Sequence, residues 1–347
     1  MNTKHFNYGL TFLSASLTAL LLALILLCTS GVQAQTRRTA PAPKPAPSLL
    51  AGLPKSDAVA LVNVRQLLDE AMPKILAGSP AKLAEVNTEI EKFKTKTGLN
   101  VRSFDQVALS MLYTYPAPDI TKIDTVALAR GTFDTAALVA AGAATAKGNY
   151  REEKYQGLTI YIFTLDQQLK LFGLFDMKVH DLAVSALSNN VLAIGSPSTV
   201  KRAIDTNKGR AANNAELINL ATREANAVIG FGANVTPGLI AGVKVTNEEN
   251  AKDLSTIRQV YGTVSVTEKD VALFLAARAE SAESAKNLSV TLEGLKELGT
   301  FLVGRMPAPK GTLARAALNN VKITTQGNEL QIRTAVAQLL LAPLLRG

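Results

Sequence analysis

The chain has few of the side chains on which most metal sites and nucleophile sites depend. Among 347 residues there are one cysteine, two histidines and no tryptophan. The cysteine, Cys28, lies in an N-terminal apolar run, so the remainder must fold without disulfide bonds. Only one histidine lies beyond that run, which leaves too few nitrogen ligands for zinc, iron or copper. We therefore predict no metal site and no cofactor.

Catalytic motifs are also missing from the sequence. His180 stands beside Asp181 in "MKVHDLAV", and a Ser-His-Asp arrangement is formally possible because such triads are defined by geometry. No nucleophile motif accompanies the pair, and we interpret it as a turn before a strand. The acidic pairs Glu152–Glu153 and Glu248–Glu249 lack the spacing of a calcium loop and are interpreted as solvated charge. We predict no catalytic, cofactor-binding or metal-binding residue.

The segment "LAIGSPSTVKRAID" (192–205) has the pattern of a strand, a turn and a helix. A phosphate loop would need a glycine-rich run with Lys-Ser or Lys-Thr. A nucleophile elbow would need glycine two residues after Ser196, where Ser198 stands. Serine followed by proline is instead typical of a helix start, with the serine as N-cap. We predict that Ser196 caps a helix and that Ser79–Pro80 begins another.

The segment "GFGANV" (230–235) has the first two glycines of a dinucleotide-binding loop. Val235 occupies the position of the third glycine, so that fingerprint fails. We predict instead that Gly230 and Gly232 let a strand pack closely against a helix. The segment "GLIAG" (238–242) has the spacing of a helix-pairing motif but lies outside any run of membrane length.

The N-terminus has the pattern of a secretory signal peptide. Lys4 is followed by the apolar run "LTALLLALILLC", and Val32 and Ala34 are the small residues expected before a cleavage site. We predict cleavage after Ala34, export to the periplasm or the outside of the cell, and a Pro/Ala-rich spacer over 35–52. Two alternatives are an uncleaved membrane anchor over 10–28 and a lipid-modified Cys28, which the preceding leucine disfavours.

The formal net charge is +9 at pH 7, but the basic residues are dispersed. No long basic block occurs and there is no tryptophan to stack on bases, so we exclude nucleic acid as a partner. The partner is not identified. An envelope protein or an anionic envelope surface fits the charge, and a membrane enters only if the N-terminal segment stays uncleaved.

The remaining chain repeats one order of segments. Four pairs match: 56–68 with 225–240, 103–111 with 256–264, 124–129 with 270–275, and 151–163 with 321–336. The second pair aligns Gln106 with Gln259, and the last has a Gln-Gly turn in both copies. Alternating apolar and polar residues predict antiparallel hairpins. We therefore predict an α+β fold of two similar halves, 53–210 and 211–347, each an antiparallel sheet with helices packed on one face.

The C-terminal segment "RTAVAQLLLAPLLRG" concentrates leucines at positions 339–345. Two interpretations stay open: these leucines complete the core of the second half, or they dock a partner or a membrane surface. Deletion of 339–347 separates them, because only core residues contribute to melting.

Several segments resemble a loose group of secreted bacterial proteins of unknown function. They are the signal peptide, the Pro/Ala spacer, "LPKSDAVALVNV", "TGLNVRSFDQV" and "NNVLAIGSPSTVKRAI". The resemblance covers most of the mature chain and rests on structural motifs. It implies an α+β architecture in two similar halves, and it brings no catalytic residues.

Three functions follow as hypotheses. The first is an exported, non-enzymatic protein that binds or scaffolds in the cell envelope or outside the cell, with its ligand in a groove between the halves. The second is a hydrolase of envelope or extracellular glycan that uses carboxylates or hydroxyls alone. The third is a structural protein anchored by an uncleaved N-terminal segment.

Overall fold

The computed structural model describes residues 49–97, 100–117, 120–171, 175–241 and 248–341. Twelve strands occur in this part of the chain: β1 (Ala58–Asn63), β2 (Phe104–Ala117), β3 (Ile120–Gly131), β4 (Tyr150–Tyr155), β5 (Leu158–Leu171), β6 (Phe175–Ser188), β7 (Val191–Gly195), β8 (Ile229–Asn234), β9 (Ile257–Val266), β10 (Asp270–Ala279), β11 (Lys322–Gln326) and β12 (Glu329–Ala337). The predicted signal peptide, the spacer up to residue 48, and Leu344 and Leu345 lie outside the described residues.

Nine α-helices accompany these strands in the same ranges. They are α1 (Met72–Ile75), α2 (Pro80–Thr97), α3 (Thr135–Thr145), α4 (Pro197–Asn207), α5 (Ala215–Ala221), α6 (Pro237–Ala241), α7 (Glu248–Ser255), α8 (Ala282–Val303) and α9 (Lys310–Asn320). A π-helical turn (Gln66–Ala71) precedes α1, and short 3-10 turns lie at Leu49–Gly52, Val101–Ser103 and Gln338–Leu340. The fold is α+β, as predicted.

All twelve strands form one antiparallel sheet, in the order β11-β12-β10-β9-β8-β1-β2-β3-β7-β6-β5-β4. The two halves meet where β1 pairs with β8, with Ala60 opposite Phe231 at the centre of the pairing. Outward from this junction the orders β1-β2-β3-β7-β6 and β8-β9-β10-β12-β11 correspond, and β5 and β4 extend the first half. The two halves are therefore joined by continuous sheet at this junction.

The same polar pair occurs at corresponding positions of the two halves. Gln106 of β2 donates to the Asn63 side chain at 2.8 Å, and Gln259 of β9 donates to the Asn234 side chain at 3.1 Å. In both halves the bonded residues are directly opposite each other in the register. This geometry agrees with the predicted alignment of Gln106 with Gln259 and with two similar halves.

The last predicted match of the repeat is wrong. The hairpin at 151–163 forms β4 and β5 at the outer edge of the sheet, whereas 321–336 forms β11 and β12 beside β10. The hairpin that corresponds to β11–β12 is β6–β7, because β7 pairs with β3 as β12 pairs with β10. The shared Gln-Gly turns misled the alignment, since such turns suit any tight hairpin.

Helices cover both faces of the sheet, which differs from the expected single face. Val200 and Ile204 of α4 and Leu217 of α5 pack in the core on one face, together with Leu128. Ala129, the next residue of β3, faces the other way and packs with Leu138 of α3. Because successive strand residues point to opposite faces, α3 and α4 sandwich the first half.

In the second half, α8 and α9 lie on the α3 side of the sheet. Leu313 of α9 packs with Leu273 and Val336, and Leu288 of α8 packs with Leu330. No helix in the described ranges covers β10 and β12 on the opposite side. Helix α5 packs on β8 on that opposite side, so the second half also has helices on both faces, and its open sheet area lies over β10 and β12.

The local signals for helix starts and close packing are confirmed. The Ser196 hydroxyl accepts from the Thr199 N–H at the start of α4, and α2 begins at Pro80. A side chain at Gly230 would overlap the Ala221 carbonyl of α5, and one at Gly232 would lie 2.9 Å from the Leu217 carbonyl. The two glycines thus allow β8 to lie directly against α5.

Candidate functional site

The open sheet face of the second half carries a cluster of charged and aromatic side chains. We call it the guanidinium face, and it consists of Arg223, Arg278, Arg333, Glu329, Gln331, Tyr261 and Phe274. The strand register places them in rows: Arg278 stands between Gln259 and Glu329, and Phe274 stands between Thr263 and Arg333. Arg223 comes from the connection between α5 and β8 and reaches the same face.

The arginines complete the cover of two aromatic rings beside α5. Tyr261 is 0% exposed and Phe274 is 2% exposed, and both belong to the core cluster that contains Leu217 of α5. The guanidinium carbon of Arg333 lies 4.0 Å from the centre of the Phe274 ring, and those of Arg223 and Arg278 lie 5.3 and 5.6 Å from the Tyr261 ring. Cation–π contact and the aliphatic stems of the arginines therefore shield both rings from water.

Glu329 is the anionic centre of this cluster. Its carboxylate accepts from Arg223 Nη1 at 2.9 and 3.1 Å, from Gln331 Nε2 at 2.6 Å and from Arg278 Nε at 3.4 Å. Burial alone would raise the pKa of Glu329, but hydrogen bonds from Tyr261, Arg223 and Gln331 outweigh burial and lower it. The carboxylate is therefore ionised and fully engaged at neutral pH.

Tyr261 and Arg223 also stay in one protonation state. Burial, followed by the hydrogen bond to Glu329, raises the pKa of Tyr261, so the phenol remains neutral. Burial opposes the charge of Arg223, but its bonds to Glu329 outweigh this and its pKa is raised. Glu329, Tyr261 and Arg223 therefore each keep one charge state at neutral pH.

The three guanidinium groups keep donors for a further ligand. Arg333 bonds Glu224 through Nη1 at 2.9 Å, and Arg278 bonds Glu216 through Nη1 at 3.3 Å. Among the described residues, no hydrogen bond uses Nη2 of Arg223, Arg278 or Arg333. Their side chains are 36%, 33% and 51% exposed. The face can therefore donate from several fixed guanidinium groups to a carboxylate, sulfate or phosphate.

The corresponding face of the first half carries less charge. By strand register, Ala108 and Val126 occupy the positions of Tyr261 and Phe274, whereas Arg130 matches Arg278. All four of the matched apolar and aromatic residues belong to one core cluster with α4 and α5. The two halves differ in charge at the positions of Glu329 and Arg333, where the first half has Val191 and Gly195.

Sequence reasoning did not find this face, because its members come from four separate segments. The sequence does contain one signal for this face, the alternation Glu329-Gln331-Arg333 along β12. In a half-buried strand every second residue is polar and faces the same side of the sheet.

His180 lies inside β6 rather than in a turn, and its side chain is outside the described residues. Its neighbour Asp181 accepts from Arg151 at 2.9 Å and from Thr164 at 2.8 Å. These partners tie the carboxylate to β4 and β5, so it serves sheet packing. Glu248–Glu249 begins α7, and the side chains of that pair are outside the described residues.

The first acidic pair is surface charge, as interpreted: Glu152 is exposed, and Glu153 bonds Lys201 at 2.6 Å. No group of three or more potential metal ligands occurs in the described ranges. Within the same ranges, no helix combines the length and the apolar character that crossing a bilayer requires.

A shallow cavity of about 470 Å³ lies at the other end of β10 and β12. Its border includes the ion pair of Lys74 with Glu268, 2.6 Å apart, and the exposed side chain of Leu339. Next to it Leu341 is buried and packs with Val336. The described part of the C-terminal leucine segment thus belongs partly to the core and partly to the surface.

No family model matches the chain, and no curated protein matches it. This outcome is consistent with an uncharacterised family. Among solved structures, the chain is similar to TP0453 in its crystal forms III, IV and I, with TM-scores of 0.43, 0.45 and 0.41 and identities of 11%, 12% and 11%. The similarity covers 86% of this chain and 96–97% of TP0453. Scores this low assign neither ligand nor partner.

Proposed function

We propose that the protein is exported and non-enzymatic, and that it binds an anionic partner of the cell envelope or its surroundings through the guanidinium face. One observation carries this proposal: three partly exposed guanidinium groups are held in fixed positions over one open sheet face. At the positions of Glu329 and Arg333 the first half has Val191 and Gly195. A binding role requires an open charged surface of this kind. The packing of the duplicated sheet does not.

Several features support binding rather than catalysis. A glycan hydrolase needs two carboxyl groups that face each other across roughly 5 to 9.5 Å. Glu329 is the one carboxylate in the described ranges that is buried, and two arginines neutralise it. The hydrolase hypothesis would need a second acid at this face with a raised pKa, and Glu216 and Glu224 already hold Arg278 and Arg333.

The binding test compares two arginines of equal exposure. Arg333 on the guanidinium face is 51% exposed and paired with Glu224, whereas Arg258 on the opposite side of the sheet is 49% exposed and paired with Glu280. Arg333→Gln and Arg258→Gln remove the same charge. The probes are poly-L-glutamate as a carboxylate polymer, heparin as a sulfated glycan and dextran as a neutral control, titrated by calorimetry in low salt.

We expect at least one polyanion to bind and dextran not to bind. Arg333→Gln should weaken binding about 3- to 10-fold, because a partly exposed charged hydrogen bond contributes roughly 0.7–1.4 kcal/mol. Arg258→Gln should leave binding unchanged. Equal losses in both variants would show attraction to net charge alone, and no binding by the wild type would refute the proposal.

Export is tested separately by the mass of the protein purified from its host. A chain that begins at Gln35 supports cleavage after Ala34. An intact chain recovered with membranes would support the anchored alternative instead.

A further inference from the structure

Strand β11 (Lys322–Gln326) ends the sheet on the side of the guanidinium face. Among the described strands it pairs with β12 alone, and no described residue bonds the backbone on its other side. We call this free side the β11 edge. A strand edge presents unpaired N–H and C=O groups, which an extended chain can bind by adding a strand to the sheet.

The register shows which backbone groups of β11 are free. In an antiparallel sheet the N–H and C=O of one residue point to the same side, and successive residues alternate between the two sides. Ala279 of β10 donates to the carbonyl of Asn328, so even-numbered residues at β12 point to β10 and odd-numbered ones point to β11. Odd-numbered residues of β12 lie opposite even-numbered residues of β11. The backbone groups of Ile323 and Thr325 therefore face away from the sheet.

Strand β11 also adds a cation beside the guanidinium face. Lys322 stands directly opposite Arg333 in the register, so the two side chains share one face of the sheet. Lys322 is exposed, and in the described ranges its ammonium group makes no ion pair. Like charges directly opposite each other on neighbouring strands are destabilising. An anionic group placed beside both side chains would offset this repulsion.

The opposite edge of the sheet has a different charge pattern. The outer strand β4 carries two basic and two acidic residues over 151–154. Arg151 pairs with Asp181, and Glu153 pairs with Lys201. Charged side chains of this kind protect an edge strand against further pairing. The β11 edge has one charged residue, Lys322, and no acidic residue to balance it.

We propose that the β11 edge binds an extended acidic peptide segment as an added strand, with one of its carboxylates beside Lys322 and Arg333. This inference rests on the proposed function, and it names the anionic partner as a protein. Pairing with the free backbone groups of Ile323 and Thr325 supplies affinity, and the two cations select acidic side chains. A glycan chain lacks the regular series of N–H and C=O groups that matches a strand edge, so this edge favours a peptide.

The two faces of β11 define the pattern of the partner segment. Successive side chains of an added strand point to opposite faces. Every second one lies beside Lys322, Thr324 and Gln326, on the side of the guanidinium face. The others lie on the side where Ile323 packs with Leu288 of α8. We therefore expect a segment with acidic residues at alternate positions and β-branched residues between them.

The first experiment is calorimetric titration of the full chain, purified from its host, with a synthetic peptide of alternating glutamate and threonine. Its control is the same peptide with methylated backbone nitrogens, which keeps every charge but has no N–H to pair with β11. We expect the unmodified peptide to bind and the methylated peptide to bind at least about fivefold more weakly, because backbone hydrogen bonds are lost.

The second experiment places proline at each edge of the sheet. Thr325→Pro removes an outward N–H of β11. Glu152→Pro removes one of β4, where the Asn149 carbonyl accepts from Thr164 and even-numbered residues therefore face outward. Proline is tolerated where an edge N–H faces solvent, and unchanged melting checks that both variants fold. Thr325→Pro should weaken peptide binding at least about fivefold, and Glu152→Pro should not change it.

The cation is tested by Lys322→Gln, which should weaken peptide binding about 3- to 10-fold. Equal binding of the two peptides, or peptide binding that Thr325→Pro leaves unchanged, overturns the added strand even where poly-L-glutamate and heparin bind through Arg333. Absence of binding by every polyanion refutes the proposed function itself. A wild-type dimer that Thr325→Pro converts to a monomer also overturns the inference, because a second copy would then occupy the edge.

Discussion

Replacing the buried carboxylate at the centre of the guanidinium face tests how that face is held together. Glu329→Gln keeps the size of the side chain and removes its charge. Glu329 is 11% exposed as a side chain and pairs with Arg223 and Arg278, which are 36% and 33% exposed. A charged hydrogen bond contributes roughly 1.5–3 kcal/mol when buried, and the partial exposure of both arginines reduces this. We expect a loss of about 2 kcal/mol in the free energy of unfolding.

The loss should depend on pH with a defined sign. The pKa of Glu329 in the folded protein is lower than its ordinary value, so the folded state favours the ionised form. Its contribution is therefore fully present above the unfolded pKa of about 4.3 and disappears as the pH falls through the lower folded value. The difference between wild type and Glu329→Gln should be constant from about pH 6 to 8 and should shrink below about pH 4.

Urea unfolding followed by far-ultraviolet circular dichroism between pH 3 and 8 measures this difference. The control is Glu216→Gln, which removes a carboxylate that is 61% exposed and also pairs with Arg278. We expect the control to change stability by less than about 0.5 kcal/mol, as for surface pairs. A Glu329→Gln loss equal to that of the control, or one that stays constant down to pH 3, would refute the role assigned to Glu329.

Three further predictions concern the stability of the fold. Gly230→Ala should lower stability by about 3 kcal/mol or more, because its methyl group would overlap a backbone carbonyl. Gly294→Ala should raise monomer stability by up to about 1 kcal/mol, because a methyl group there meets nothing within 4 Å. Thermal melting checks both, since the melting temperature should fall in the first variant and rise in the second. Ser196→Ala should cost about 1 kcal/mol in urea unfolding through loss of the α4 cap, and an unchanged midpoint would contradict that role. Deletion of 339–347 should cost at least about 2 kcal/mol, since Leu341 is 2% exposed; unchanged melting would place the whole segment outside the core.

Part of this architecture follows from local sequence patterns. The α+β class, the helix starts at Ser196 and Pro80, and the close packing at Gly230 each depend on residues near one another in the chain. Capping, proline geometry and the absence of a side chain are local effects, so a single sequence suffices to predict them. The alignment of Gln106 with Gln259 also agrees with the structure, because both residues bond an asparagine across the same strand pair.

Other features depend on contacts between distant segments. The pairing of β1 with β8 unites the halves, but an alternating strand pattern does not say which neighbour it meets. The choice of sheet face for α3 and α4 was missed for the same reason, since an amphipathic helix fits either side. The guanidinium face needs Arg223, Arg278 and Glu329, which lie in separate segments, and only the folded sheet brings them together.

The pairing of β1 with β8 also sets the order in which the protein can be completed. Strand β1 is made early in synthesis, but its neighbour on one side, residues 229–234, is made only after two thirds of the chain. Until then β1 is an unpaired edge strand of the first half, and chains readily associate at such an edge. Closing this contact over so long a stretch of chain is also slow. The first half therefore keeps this edge open until β8 has been made and has paired with β1.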